Sequence, residues 1–141
     1  MEFGELLILF LLDLQALFRK QAASKGLTLS QVLVIFSIPE KGIDMSGLSN
    51  TMGVDNSTTT RLVQVLIRKG WIYKRRDEND RRVTLIRLTQ TGENIQNLIE
   101  EKINKFGGQV SEAIPLEDRD EIKEALTYFH WKVSKLLAKT L

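Results

Sequence analysis

The chain has 141 residues, of which 43% are hydrophobic and 27% charged, and it carries a net charge of +2. This is the composition of an ordinary globular protein that is long enough to bury a core. The absence of cysteine excludes disulfides and thiol chemistry, and the single histidine, His130, disfavours a histidine-rich metal site. We therefore expect no metal, no cofactor and a cytoplasmic location.

The first predicted helix runs from Leu6 to about Gln21 and opens with seven consecutive apolar residues. Glu2 and Glu5 precede this run, where a signal peptide has Lys or Arg, and Asp13 interrupts it. The run is also shorter than the ~20 apolar residues that span a bilayer. Because a helix that is apolar on nearly every side is normally buried in protein, we expect it to pack against a partner subunit and not in a membrane.

Capping residues and helix breakers predict the next three helices. Ser30 is the predicted cap of the second helix, which ends near Ile38, and Ser46 is the predicted cap of a small helix over Gly47–Met52. Either Asn56 or Ser57 is the predicted cap of the helix that follows.

This fourth helix is predicted to run to Lys69 and to stop at Gly70. Two strands, Trp71–Arg76 and Arg82–Leu88, follow it, with β-branched and aromatic residues alternating with polar ones. The sequence therefore predicts a winged helix-turn-helix in the middle of the chain.

Two long helices complete the prediction. Thr89 is the predicted cap of the first, and Pro115 separates it from the last helix, whose apolar residues alternate in steps of four and three, a seam that packs helix on helix. We expect a mainly α fold with a small β-wing. A winged helix-turn-helix DNA-binding domain (28–92) is predicted to be flanked by dimerisation helices in residues 1–27 and 93–141.

Positive charge is concentrated between Arg61 and Arg87, where nine basic residues accompany three acidic ones, an excess of six. Such a cluster is typical of a surface that binds phosphates. In the fourth helix, hydroxyl, Arg and Gln side chains fall on the side opposite to Leu62 and Leu66, and in a major groove Arg pairs with guanine and Gln with adenine. A solvated polar face is the alternative for this helix.

The predicted turn between the strands carries adjacent arginines, Arg81 and Arg82, which suit a narrow minor groove. Asp80 could fix a guanidinium with two hydrogen bonds. The alternative is an ordinary surface ion pair, worth about 0–1 kcal/mol.

The segments Asp44–Val54, Thr58–Ile72 and Asp80–Arg82 with Leu88–Gly92 together resemble the helix-turn-helix and wing of the MarR family of transcription regulators. Trp71 and Gly47 depart from its pattern, since a smaller aliphatic and a polar residue are usual there. The residues expected to contact DNA are Ser46, Asn56, Ser57, Thr58, Thr60, Arg61, Gln64, Arg68, Arg75, Asp80, Arg81 and Arg82.

The resemblance implies a homodimeric repressor that binds double-stranded DNA at an inverted repeat and is released by a small-molecule effector. An aromatic or amphipathic anion fits the effector site, whose candidate lining residues are Leu14, Phe18, Ile35 and Phe36. Ordinary core packing is the alternative for each of them. A regulator without an effector and a sequence-independent architectural DNA-binding protein also stay open. An enzyme is not expected, because no catalytic constellation is present.

Overall fold

A computed structural model describes residues 1–140 of the chain. The fold is mainly α with a small antiparallel sheet, as predicted. Its elements are α1 (Phe3–Ala23), α2 (Leu29–Ser37), α3 (Met45–Met52), α4 (Asn56–Arg68), β1 (Ile72–Arg76), β2 (Thr84–Leu88), α5 (Gln90–Ala113), a short 3-10 helix (Leu116–Asp118) and α6 (Arg119–Thr140).

The predicted caps of α2 and α3 are each wrong by two residues. Thr28, not Ser30, caps α2, because its hydroxyl accepts the Gln31 N–H (3.2 Å) while the Gln31 side chain accepts the Thr28 N–H (3.1 Å). Asp44, not Ser46, caps α3, where its carboxylate accepts the Gly47 N–H at 2.7 Å. In both helices the earlier residue lies three positions before the N–H that its side chain satisfies.

The structure explains why glycine stands at position 47, which the sequence pattern does not reveal. A Cβ at this position would lie 2.8 Å from the Asp44 carboxylate and 3.0 Å from the Ile43 side chain. A larger residue would therefore crowd the cap of α3. Glycine is therefore suited to this position despite its low helix propensity, because it leaves room for the Asp44 side chain.

The wing is built from β1 and β2, which pair antiparallel from Ile72 opposite Leu88 to Arg76 opposite Thr84. The second strand begins two residues later than predicted, because the Asp77 N–H donates to the Val83 carbonyl (2.9 Å) and closes a turn before it. Ile43 adds an isolated bridge to Ile86 on the other edge of β2. The sheet is thereby tied to the segment that leads into α3.

Two clusters of buried side chains hold this part of the chain together. One contains Val34, Ile38, Leu48, Val63, Leu66, Ile72 and Ile86, and the other contains Ala22, Leu27, Val32, Ile35 and Ile99. Trp71 and Leu88 pack against both clusters. The large Trp71 side chain at the base of the wing therefore joins α4 and the sheet to α5.

The chain divides into two compact units, Met1–Ile103 and Asn104–Leu141. In the first unit, Ile8, Leu11 and Leu12 of α1 are exposed. In the second unit, α6 contains no buried residue and exposes Leu126, Trp131 and Leu136. Contiguous apolar surfaces of this kind usually mark an interaction site. Within residues 1–140, none of the helices combines the length and apolarity needed to cross a membrane.

Two glycines of α5 are expected to respond to alanine in opposite directions. A Cβ at Gly92 would overlap the Trp71 carbonyl, whereas a Cβ at Gly107 meets nothing within 4 Å. We expect Gly92→Ala to lower the free energy of unfolding by about 1–3 kcal/mol through overpacking. Gly107→Ala should raise it by about 0.5–1 kcal/mol through helix propensity. Urea denaturation measures both, and equal stability of the two variants would contradict the packing at Gly92.

Candidate nucleic-acid interface

Helix α4 presents one exposed row of polar side chains. Thr59, Val63 and Leu66 are buried on the opposite side, so the predicted division of this helix into a core side and an exposed side is confirmed. Thr58 and Thr60 are half-buried, and the Thr60 hydroxyl donates to the Asn56 carbonyl at 2.8 Å. The exposed row consists of Asn56, Ser57, Arg61, Gln64 and Arg68.

The N-terminus of α4 is capped by Asp55, and neither predicted cap, Asn56 or Ser57, has that role. One Asp55 carboxylate oxygen accepts the Thr58 N–H at 2.7 Å and the Ser57 hydroxyl at 3.0 Å. These hydrogen bonds hold the pKa of Asp55 below its ordinary value. The contribution of Thr58 is the largest, that of Ser57 follows, and the charge of Arg61 adds to the effect. Because the cap uses the Thr58 N–H, that backbone donor is not free to bind a phosphate.

The cap predicts a pH dependence of stability. Since the pKa of Asp55 is lowered in the folded chain, its stabilising contribution is present at neutral pH and is lost as the pH falls through that lowered pKa. Asp55→Ala should therefore melt at a lower temperature than the parent at pH 7, and the difference should shrink below about pH 4. Asp55→Asn, which retains a capping oxygen, is the control and should show a smaller loss at pH 7. A constant difference across this range would contradict the role of the carboxylate.

A buried polar contact fixes α4 against α3. The Ser49 hydroxyl donates to the Thr59 hydroxyl oxygen at 2.7 Å, and Thr59 donates to the Asp55 carbonyl at 3.0 Å. Both side chains are buried, where a lost partner costs about 1–3 kcal/mol. This pair sets the position of the exposed row of α4 relative to Ser46, which is exposed on α3.

The tip of the wing holds an arginine in a fixed geometry. The Asp80 carboxylate accepts two hydrogen bonds from the Arg82 guanidinium, at 3.0 Å from Nε and 3.2 Å from Nη2, and a third from the Arg82 backbone N–H at 3.1 Å. The side chain of Arg82 is nevertheless 91% exposed. The pairing lowers the pKa of Asp80 and raises that of Arg82. The sequence predicted such a pairing, and the result is a permanently charged, oriented group at the tip.

The other basic residues of the wing differ in their surroundings. Arg75 pairs with Glu78 at 3.0 Å, both being exposed, and Arg81 is exposed. Arg87, which contributes to the predicted excess of charge, is only half-exposed near the base of β2. The cluster between Arg61 and Arg87 therefore exposes fewer basic side chains than the nine that the sequence contains. Among residues 1–140, no cluster of three or more acidic or histidine side chains is arranged to hold a metal ion.

The four candidate effector residues lie on α1 and α2 in different surroundings. The rings of Phe18 and Phe36 meet edge to face with centroids 6.4 Å apart, and Leu14 is exposed. Ile35 is completely buried in a core cluster with Ile99. It could support a pocket wall but has no surface for a ligand to contact unless this cluster rearranges.

Sequence reasoning missed two residues that shape this surface. Asp55 precedes the predicted caps by one or two positions, and aspartate is as good a cap as asparagine or serine. Lys69 places its ammonium 4.7 Å from the centre of the Trp71 ring, at the exit from α4. In the sequence, this contact is indicated only by the presence of a lysine and a tryptophan two residues apart.

A helix-turn-helix followed by a two-stranded wing with an arginine at its tip defines the winged helix-turn-helix class. Within that class, the sequence profile of the MarR family matches residues 27–84. HTH-type transcriptional regulator SarZ of Staphylococcus saprophyticus is 31% identical over 91 residues, which are 62% of this chain and 62% of SarZ. Transcriptional repressor MprA of Escherichia coli K12 is 26% identical over 98 residues, 69% of this chain and 56% of MprA.

These matches assign residues 27–84, which are less than half of the chain, to the MarR family. The matches to SarZ and MprA span less than two thirds of the length of these relatives. Among solved structures, CouR from Rhodococcus jostii RHA1 bound to p-coumaroyl-CoA superimposes with a TM-score of 0.73 at 24% identity and covers 91% of both chains. This likeness confirms the fold.

Proposed function

We propose that the chain is a homodimeric regulator of transcription that binds double-stranded DNA sequence-specifically at an inverted repeat. The observation that carries this proposal is the exposed Arg82, oriented by two hydrogen bonds from its side chain to Asp80. A guanidinium held in this way suits the narrow minor groove, whose negative potential attracts arginine. The exposed row of α4 belongs to the same winged domain and suits the major groove.

The two surfaces have different tasks in this proposal. Arg61 and Gln64 read base edges, since Arg pairs with guanine and Gln with adenine in the major groove. Short hydroxyl and amide side chains around them, together with basic ones, position the protein on the phosphates. This second group comprises Ser46, Asn56, Ser57, Thr58, Thr60, Arg68, Arg75 and Arg81.

The proposed dimer is built from residues 1–27 and 93–141, which flank the winged domain. The exposed apolar side chains of α1 and α6 support this assignment, because large apolar patches are rare on monomers. A two-fold dimer presents two α4 helices to a palindromic site. We propose that the chain acts in the cytoplasm as a repressor, the role that the name of its relative MprA states for that protein.

Release from DNA is proposed to require a non-covalent effector. The chain has no cysteine, so oxidation of a thiol is not an available switch. Leu14, Phe18 and Phe36 offer an apolar surface, backed by Ile35, to an aromatic or amphipathic anion. CouR, whose structure contains p-coumaroyl-CoA, has the same fold. An effector must bind the DNA-free form more tightly than the DNA-bound form.

Selection of bound duplexes from a random DNA pool tests the proposal. We expect an inverted repeat whose half-site centres are separated by about one helical turn, roughly 34–36 Å. A single asymmetric half-site bound by one chain would contradict the dimeric regulator. Binding without enrichment of any sequence would instead identify an architectural DNA-binding protein. The selected duplex then serves in a release assay with a panel of aromatic carboxylic acids.

A further inference from the structure

Arg87 of β2 has a buried polar atom without a partner. Its Nε is shielded from solvent and forms no hydrogen bond within residues 1–140. A guanidinium is always charged and carries five N–H donors in a fixed plane. Because Nε itself is out of reach of a ligand, an acceptor from outside the chain would meet the Nη groups of Arg87, and its charge would offset the cost of burying Nε unpaired.

The surrounding backbone is adapted to the stem of this side chain. Gly42, with φ of +91°, lies beside it, and a Cβ at Gly42 would lie 3.0 Å from the Arg87 Cγ and 3.1 Å from the Ile86 carbonyl oxygen. Across the sheet, Arg87 is the strand partner of Tyr73. The aliphatic part of Arg87 is therefore confined between Gly42 and the sheet.

A cavity of about 460 Å³ borders Arg87. Its volume lies in the ordinary range of small-molecule sites. It is an open groove between the segment after α2, the base of the wing and the first turns of α5. The polar residues that line it with Arg87 are Glu40, Tyr73, Glu93, Gln96 and Asn97.

The chemistry of this lining selects a ligand with two kinds of group. Glu40 and Glu93 are acceptors and carry two negative charges against the one positive charge of Arg87, so the lining opposes a simple anion. One amide hydrogen of Gln96 is already donated to the Ile35 carbonyl at 3.0 Å. A simple amine, on the other hand, would offer no acceptor and no negative charge to the Nη groups of Arg87. A small molecule with one carboxylate and one ammonium complements both charges.

We propose that this cavity binds a free amino acid or a closely similar zwitterion. Its carboxylate accepts hydrogen bonds from the Nη groups of Arg87, and its ammonium is held by the carboxylates of Glu40 and Glu93. The site differs from the apolar Phe18 and Phe36 surface both in position and in chemistry. This ligand would bind to the DNA-free protein, so the proposed site does not depend on the DNA-binding function.

Isothermal titration calorimetry of the full chain with the twenty free L-amino acids tests the proposal. We expect at least one to bind, and we expect its deaminated acid and its decarboxylated amine each to bind at least about 10-fold more weakly, because each loses a charge-assisted pair. Absence of binding by every amino acid at millimolar concentration would overturn the site. An analogue lacking either charge that binds as tightly as the amino acid would also overturn it.

Variants locate the site. Arg87→Met retains the stem over Gly42 and removes the donors, so affinity should fall by about 10-fold or more. Glu93→Gln, at an exposed position, should weaken binding in the same direction and tests the site even if Arg87→Met fails to fold. Arg76→Met, an exposed arginine of β1, is the matched control and should bind like the parent. Unchanged affinity of folded Arg87→Met, or of Glu93→Gln, would refute the assignment.

Discussion

Replacing Ile8 and Leu11 together with glutamate is expected to break the proposed homodimer and to abolish tight operator binding. The two side chains lie three residues apart on α1, hence on one face, and are 61% and 66% exposed in the single chain. In a two-fold interface both copies of each residue would be buried, one from each subunit. An unpaired charge buried in an interface is strongly unfavourable. A monomer can engage only one half-site, so affinity for the full site should fall about 100-fold or more.

Sedimentation equilibrium at micromolar concentration measures the assembly, and a gel-shift titration measures the affinity. Ile67→Glu is the matched control for assembly, because Ile67 is 37% exposed but lies in α4, outside both proposed dimerisation segments. This control should remain dimeric. A parent chain that sediments as a stable folded monomer, or a double variant that stays dimeric, would exclude α1 from an obligate interface.

The sequence was sufficient to predict the element order and the two faces of α4. Apolar residues spaced by three and four place Val63 and Leu66 in the core, because burial of one face is what that pattern records. Alternation located the two strands, although only Ile72 of β1 and Ile86 of β2 are buried. The position of each cap was beyond this reasoning. Asp55, Asn56 and Ser57 have nearly equal capping propensities, so only the hydrogen bond to the Thr58 N–H decides among them.

Contacts between distant segments account for the rest of what the sequence did not reveal. Arg87 appeared as one more cation of the wing, but its surroundings come from Gly42, from Tyr73 and from α5, which lie far apart along the chain. Ile35 was likewise assigned to an effector surface because its helical position is apolar. Its complete burial depends on Ala22 and Ile99. Periodicity identifies an apolar face, but it does not identify which residues of that face are covered.

The arginines of α4 and of the wing are expected to fail in different ways when they are removed. Arg61→Ala should cost about 1–3 kcal/mol of binding free energy and relax the preference at one base pair in each half-site, since a base contact is lost. Arg82→Ala should weaken binding to many sequences and reduce the slope of log affinity against log salt by about one unit per half-site. Titrations of the selected duplex and of its single-base variants, at several salt concentrations, distinguish these outcomes.

Asp80 should act on DNA only through Arg82. Asp80→Asn leaves the charge of Arg82 in place but weakens the two side-chain hydrogen bonds that orient it, so affinity for the selected site should fall by less than in Arg82→Ala. In the Arg82→Ala background the same change should have almost no further effect, because residues that act as a unit are non-additive. Glu78→Gln, which disturbs the single exposed contact with Arg75, is the matched control and should change affinity little. If Asp80→Asn weakens binding by the same factor with and without Arg82, the carboxylate acts on the complex independently and its orienting role is wrong.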